Sequence, residues 1–250
     1  MFSSRAVCVA IGLTACVSVA SAQSVDEIVA KNIEARGGIE KLRAVLTVKT
    51  MGKLLVPPRS GAPGMSPDGK GLEMPMTIWV KRPNKVRRET TFPDRTVTVG
   101  FDGTTVWGLD STIGKAQQIS GPQAEATRDD ADIDPLLLDY RQKGHKVELV
   151  GQEKIDGQAV NHLRVTRKNG KVSQYFLSAD TGLEVRIVDS FEQGGMKMEV
   201  RTDLSNYQTV DGMRLPFTIK QFSNGTLAVE FNLEKVEFNA AVDDEMFRLK

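Results

Sequence analysis

Apolar and polar residues alternate strictly along 196–204. Met196, Met198, Val200, Thr202 and Leu204 fall on one face, and Lys197, Glu199, Arg201 and Asp203 on the other. Successive side chains of a strand point to opposite faces, so this stretch predicts a strand with one wet and one oily face. The same period recurs at Leu183, Val185 and Ile187, at Met213, Leu215, Phe217 and Ile219, and at Leu227, Val229, Phe231 and Leu233. Beyond Leu233 the phase slips, because Val236 and Phe238 have the opposite parity, which predicts a bulge or bend there.

Turn pairs punctuate these runs: Pro83-Asn84, Pro93-Asp94, Asp102-Gly103, Asp156-Gly157, Asn169-Gly170, Thr181-Gly182, Asp211-Gly212 and Asn224-Gly225. Turns at such short intervals predict an antiparallel meander of roughly ten or more strands. A helix precedes it. Ser24 stands three residues before Glu27 in the capping-box spacing, Val25, Ile28, Val29 and Ile33 form a helical stripe, and Gly37-Gly38 stop it. Residues 39–46 read as a second short helical piece. Two segments interrupt the meander. Residues 57–75 are too rich in proline and glycine for regular structure and predict a loop, with a flap over a cavity as the functional alternative. Residues 121–144 predict a helical insertion, with Pro135 in a first turn and Leu136, Leu137 and Tyr140 at helical spacing.

Strand twist accumulates, so a sheet this long must close, split or curl. Two helical segments cannot cover the oily face of about ten strands. The expected fold is therefore α+β, mainly antiparallel β. It is a half-open, unclosed barrel curled around a few helices, with surplus apolar surface lining a cavity. The candidate lining is Met76, Ile78, Ile187, Met196, Met198, Val200, Phe217, Ile219, Val229 and Phe231. Methionine is flexible and polarizable and suits an adaptable apolar site. Ordinary core contact is the alternative for each of these residues.

The first residues change the setting. One early charge, Arg5, precedes an apolar run and Ala20-Ser21-Ala22, the pattern of a secretory signal cleaved after Ala22. Residues 23–250 then form one expected domain, exported to the periplasm. Leu13-Thr14-Ala15-Cys16 also resembles a bacterial lipoprotein box, and anchoring through a lipidated Cys16 is the alternative. Both cysteines, Cys8 and Cys16, precede the cleavage site, so the exported chain rests on a core and not on disulfides. Against 33 Lys and Arg stand 32 Asp and Glu, a balance that gives nucleic acid no electrostatic footprint.

Motifs that carry chemistry are missing. The two histidines, His145 and His162, have no metal-ligand spacing, and no catalytic, metal or cofactor site is predicted. Asp129, Asp130, Asp132 and Asp134 lack the glycine and the closing glutamate of a calcium loop, and read as a solvated start of a helix. The basic run 81–89 reads as a solvated edge, with an anionic head group or acidic partner as the functional alternative.

Trp79-Val80-Lys81-Arg82-Pro83-Asn84, followed by the stretch from Phe92 to Trp107 with its Asp-Gly-x-x-x-Trp strand, resembles the LolA-type lipoprotein-carrier family of the bacterial periplasm. Residues 175–187 and 239–249 fit the wider family, and the order of elements agrees along the chain. The resemblance implies a half-open barrel whose cavity holds the acyl chains of a lipoprotein, or another lipid, in transit to the outer membrane. It implies inner-membrane release machinery and an outer-membrane acceptor as partners, a monomeric protein, and no enzymatic step. It puts the family's lid-latching arginine at Arg82. A lipid-sensing interaction module of the same fold is the alternative.

Overall fold

A computed structural model describes residues 23–58, 71–193 and 195–249. The leader with Cys16, and residues 59–70 of the proline- and glycine-rich stretch, lie outside the described residues, while residues 72–75, expected as loop, are strand, with Met74 buried and Pro75 opposite Lys53. Two helices come first, α1 (Val25–Ala35) and α2 (Ile39–Ala44). Six strands follow: β1 (Thr47–Val56), β2 (Leu72–Lys81), β3 (Lys85–Thr91), β4 (Thr96–Phe101), β5 (Val106–Asp110) and β6 (Gln117–Gln118). After α3 (Pro122–Asp129) come β7 (Lys146–Ile155), β8 (Gln158–Thr166), β9 (Val172–Ser178), β10 (Glu184–Gln193), β11 (Met196–Val210), β12 (Met213–Ser223) and β13 (Thr226–Phe238). A short 3-10 turn, Asp244–Phe247, ends the described chain.

These 13 strands form one antiparallel sheet in the order β6-β5-β4-β3-β2-β1-β13-β12-β11-β10-β9-β8-β7. Two meanders, β1 to β6 and β7 to β13, are thus joined along β1 and β13. The edges do not meet, and the sheet is a curled, half-open barrel. This order has one consequence for function. Strands β6 and β7 are consecutive in sequence yet lie at opposite edges. The connection 119–145 must therefore cross the whole inner face.

Local chemistry explains the register. Both central residues of three hairpins are left-handed, with φ of 50° and 83° at Asp156-Gly157, 50° and 76° at Asp211-Gly212, and 46° and 82° at Asn224-Gly225. Such two-residue turns match the strand twist and fix the pairing. The slip beyond Leu233 is a bulge: Met51 pairs with Lys235 while Gly52 pairs with Leu233, which leaves Glu234 extra. Gly52 is needed there, since a Cβ would come within 2.2 Å of the Asn232 carbonyl oxygen.

The expected capping box is present. The Ser24 hydroxyl accepts from the Glu27 amide, and the Ser24 amide donates to the Glu27 carboxylate at 2.7 Å. Helix α1 buries Ile28 and Val29 against Val147, Leu163, Val165, Tyr175 and Leu177 of β7 to β9. It is pinned by Lys31 donating to the Ala179 carbonyl at 2.7 Å, by buried Asn32 donating to the Gly182 carbonyl at 2.9 Å, and by Arg36 paired with Glu184 at 2.8 Å.

The crossing segment departs from the expected helix. Only Pro122–Asp129 is α-helical, and residues 130–145 are successive turns. Asp139 is left-handed, with φ of 52°, which interrupts a right-handed helix at that point. Packing gives the reason. Adjacent Leu137 and Leu138 are both buried, in two different clusters, one beneath α1 and one beneath α2. One helical stripe cannot serve two floors at once. The acidic run therefore follows α3 and does not start a helix.

Candidate functional site

Residues paired directly across strands share a face. Val80 and Ile78 of β2 pack toward α3, and through the register Thr50, Gly52, Met76 and Met74 lie on the same inner face. Phe231, paired with Leu54 and Ile219, extends that face across β13 and β12, and Thr202, paired with Ile187, extends it to β10. The candidate lining residues with described side chains all lie on this face. Met76, Phe217 and Phe231 are buried, whereas Met198, Val200, Ile219 and Val229 are half-buried. Ile78 and Ile187 pack against the clusters beneath α3 and α1. The side chain of Met196 lies outside the described ones.

Several hollows flank the crossing segment among the described residues, one of about 710 Å³ between the acidic run and Arg167, Lys168 and Tyr175, and two others bear on the apolar lining. A chamber of about 200 Å³ lies under α2 and the crossing segment. Its walls are Leu42 and Val45 above, Val48, Val80, Met213, Leu215 and Phe238 below, and Ile133 and Pro135 at the side. A cleft of about 440 Å³ lies between α3 and the tip of β10 and β11, and Val200 lines it. The chamber lies farther along the same strands than most of the candidates. Alternation displayed Met213 and Leu215 as inward-facing residues, but only the crossing of 119–145 determines which end is roofed.

Arg82 sits at the rim of the chamber. Its Nε donates to the Val45 carbonyl at 2.7 Å, its Nη1 donates to Asp134 at 2.9 Å, and its Nη2 bonds the other Asp134 oxygen and lies 3.5 Å from the Leu42 carbonyl. One planar fork thus ties the end of α2 to the crossing segment. Burial opposes ionisation of Asp134, but the bond to Arg82 and its positive charge outweigh it and hold the carboxyl below its ordinary range.

The acidic run and the basic run meet. Asp129 pairs with Arg167 at 3.2 Å and with Lys171 at 3.1 Å, Asp130 with Arg88 at 2.5 Å, and Asp132 with Lys143 at 3.0 Å. With Asp134 on Arg82, the segment is fastened to both arms of the sheet. The basic run is accordingly an internal clamp and not a solvated edge. Arg82 and Arg88 hold the crossing segment. Lys81, Lys85 and Arg87 hold the C-terminal turn, the lysines at 2.6 and 2.7 Å from Asp244 and Arg87 through the Met246 carbonyl at 2.7 Å. Phe247 there is fully buried, and its carbonyl accepts from the Trp107 indole at 2.7 Å. Sequence reasoning missed these pairings, although an acidic run at 129–134 and a basic run at 81–88 in one chain were their visible signal.

Both histidines are tied to neighbouring side chains or backbone. His162, on β8, lies 2.6 Å from Glu153 and stacks on Phe176 with centroids 4.3 Å apart. His145 accepts from the Lys168 amide at 3.1 Å, and burial with the nearby charges of Lys143 and Arg167 pushes its pKa down. No group of three or more potential metal ligands occurs among the described residues.

Neither a protein-family description nor a curated protein matches the chain. Solved structures do. A DUF1329 family protein from Desulfovibrio piger superposes with a TM-score of 0.63 at 14% identity, covering 90% of this chain and 99% of its own. A LolA superfamily protein from Nitrosomonas europaea superposes with a TM-score of 0.63 at 12% identity, covering 91% and 98%. A putative outer membrane lipoprotein-sorting protein domain from Vibrio parahaemolyticus reaches 0.58 at 12% identity, covering 88% and 94%. The chain has the LolA-like fold, a half-barrel with a roofed apolar inner face.

Proposed function

We propose that this protein is a periplasmic carrier that holds the acyl chains of a lipoprotein or lipid on the inner face of its half-barrel and moves them towards the outer membrane, without a catalytic step. One observation carries the reading. The apolar inner face continues beyond the small chamber through Met76, Phe217, Ile219 and Phe231, and the segment that roofs the chamber is held both by buried Ala131, Leu137 and Leu138 and by ion pairs from Asp129, Asp130 and Asp134. Lifting this roof gives up those ion pairs and the burial of Leu137 and Leu138 but leaves the strand ladder paired. Arg82 is the latch in this reading, because its fork holds both roofing elements. A LolA-superfamily protein and a putative lipoprotein-sorting domain share the fold, which agrees with the proposal. Native mass spectrometry after gentle extraction should show bound lipid or lipoprotein. A protein that is always empty and ignores fluorescent fatty acids would sink the proposal.

A further inference from the structure

Resting on that acyl-chain reading, we infer that the ligand is an anionic amphiphile whose head group replaces the Asp129 carboxylate on Arg167 and Lys171. The cleft beside α3 provides the setting. Pro122, Ala126, Val172, Phe191 and Val200 give it apolar walls, and Arg167 and Lys171 stand at its end. Phe191 is 46% exposed, the state of an apolar wall that lacks its partner.

The two cations converge on a single oxygen. Asp129 Oδ2 lies 3.2 Å from Arg167 Nη1 and 3.1 Å from Lys171 Nζ. That is the arrangement in which a carboxylate or phosphate is held. The Nε of Arg167 is buried without a hydrogen-bond partner, so its fork is not saturated.

The distribution of charge favours an acid over a neutral ligand. Glu125, Asp129, Asp130 and Asp134 all belong to the crossing segment, whereas Arg82, Arg88, Arg167 and Lys171 belong to the sheet and its hairpins. Lifting the segment removes the acids together and leaves the cations behind. Asp189 remains, 3.7 Å from Arg167 and bonded by Ser173 at 2.5 Å, and cannot balance them. Glu192 also lines the cleft, from the opposite face of β10 to Asp189 and Phe191, and makes no ion pair with Arg167 or Lys171 among the described residues. A neutral ligand would leave the half-buried Arg167 uncompensated and exposed Lys171 with solvent alone, at a cost that an anionic head group avoids. Capture of the ligand and release of the segment are thus one exchange of acid for acid.

Equilibrium binding to the purified protein at neutral pH tests this, with palmitate against methyl palmitate and phosphatidylglycerol against phosphatidylcholine. At least one anionic member should bind roughly tenfold tighter than its uncharged or zwitterionic counterpart, and which pair shows it separates a fatty acid from an anionic phospholipid. The double variant Arg167→Gln, Lys171→Gln should erase the preference, so that charged and neutral members of each pair bind alike. Asp129→Asn should strengthen binding of the anionic ligand more than that of its neutral counterpart, because it removes the internal competitor; a merely structural tie would shift both alike. Equal binding of charged and neutral ligands, with Asp129→Asn inert, overturns the inference and leaves acyl-chain carriage standing. Failure of every amphiphile to bind overturns both.

Discussion

Arg82 shows how much one side chain can hold. Replacing it with leucine removes the bonds to Val45 and Asp134 together. A lost charge-assisted pair of this kind costs about 2 kcal/mol, here taken from closure of the crossing segment. Hydrogen exchange should then quicken across 130–145 and stay unchanged in β12 and β13. The tie also has a pH sense. Asp134 has a depressed pKa in the folded protein, so its contribution is present above the ordinary carboxylate value and is lost as pH falls through the lowered one. Acid should loosen the wild-type segment, and Arg82→Leu should remove that part of the acid response; an unchanged acid response in the variant would count against the tie. Asp244 behaves alike: ion pairing with Lys81 and Lys85 brings its pKa down to about 2, so the C-terminal turn should stay docked until well below the usual carboxylate range. Chemical shifts of Phe247 followed through an acid titration would report it.

At the scale of elements, the C-terminal turn is a second clamp, on the face opposite the chamber. Gly100 makes it feasible, since a Cβ there would come within 2.5 Å of the Trp107 ring. Gly100→Ala should displace the indole that bonds Phe247 and destabilise the protein by about 1–3 kcal/mol, as overpacking does. Phe247→Ala should cost about 3 kcal/mol, and both variants should alter tryptophan emission. Denaturant unfolding that matches wild type would reject the clamp. Elements differ in how far the sequence announced them. Capping at Ser24 and Glu27, the hairpins at Asp-Gly and Asn-Gly, and the bulge after Leu233 are local effects, and each was legible. The fate of 130–145 was not, because burial of Leu137 and Leu138 on two floors is decided by tertiary packing that overrides helical spacing. The ion pairs of Asp129 and Asp130 join residues far apart in sequence, so alternation showed the charges but not their partners.

At the scale of the molecule, the sheet order makes the crossing segment both roof and bridge. Among the described residues it joins the two meanders across the open side, whereas β1 and β13 join them through the ladder. The apolar face legible from alternation spans strands on both sides of that seam, yet the chamber beneath α2 offers only about 200 Å³. An acyl ligand filling the rest of that face must lift the roof while it shields the floor. Binding should therefore act in opposite directions on the two layers. Backbone exchange should quicken in 119–145, where the ties to Arg82, Arg88 and Arg167 are given up, and slow in β1, β12 and β13, where apolar surface becomes covered. Thermal stability should rise with ligand concentration, as mass action requires of anything that binds only the folded state. Uniform protection of both layers would mean that the ligand enters beneath a closed roof, and the segment would then be a fixed wall of the barrel.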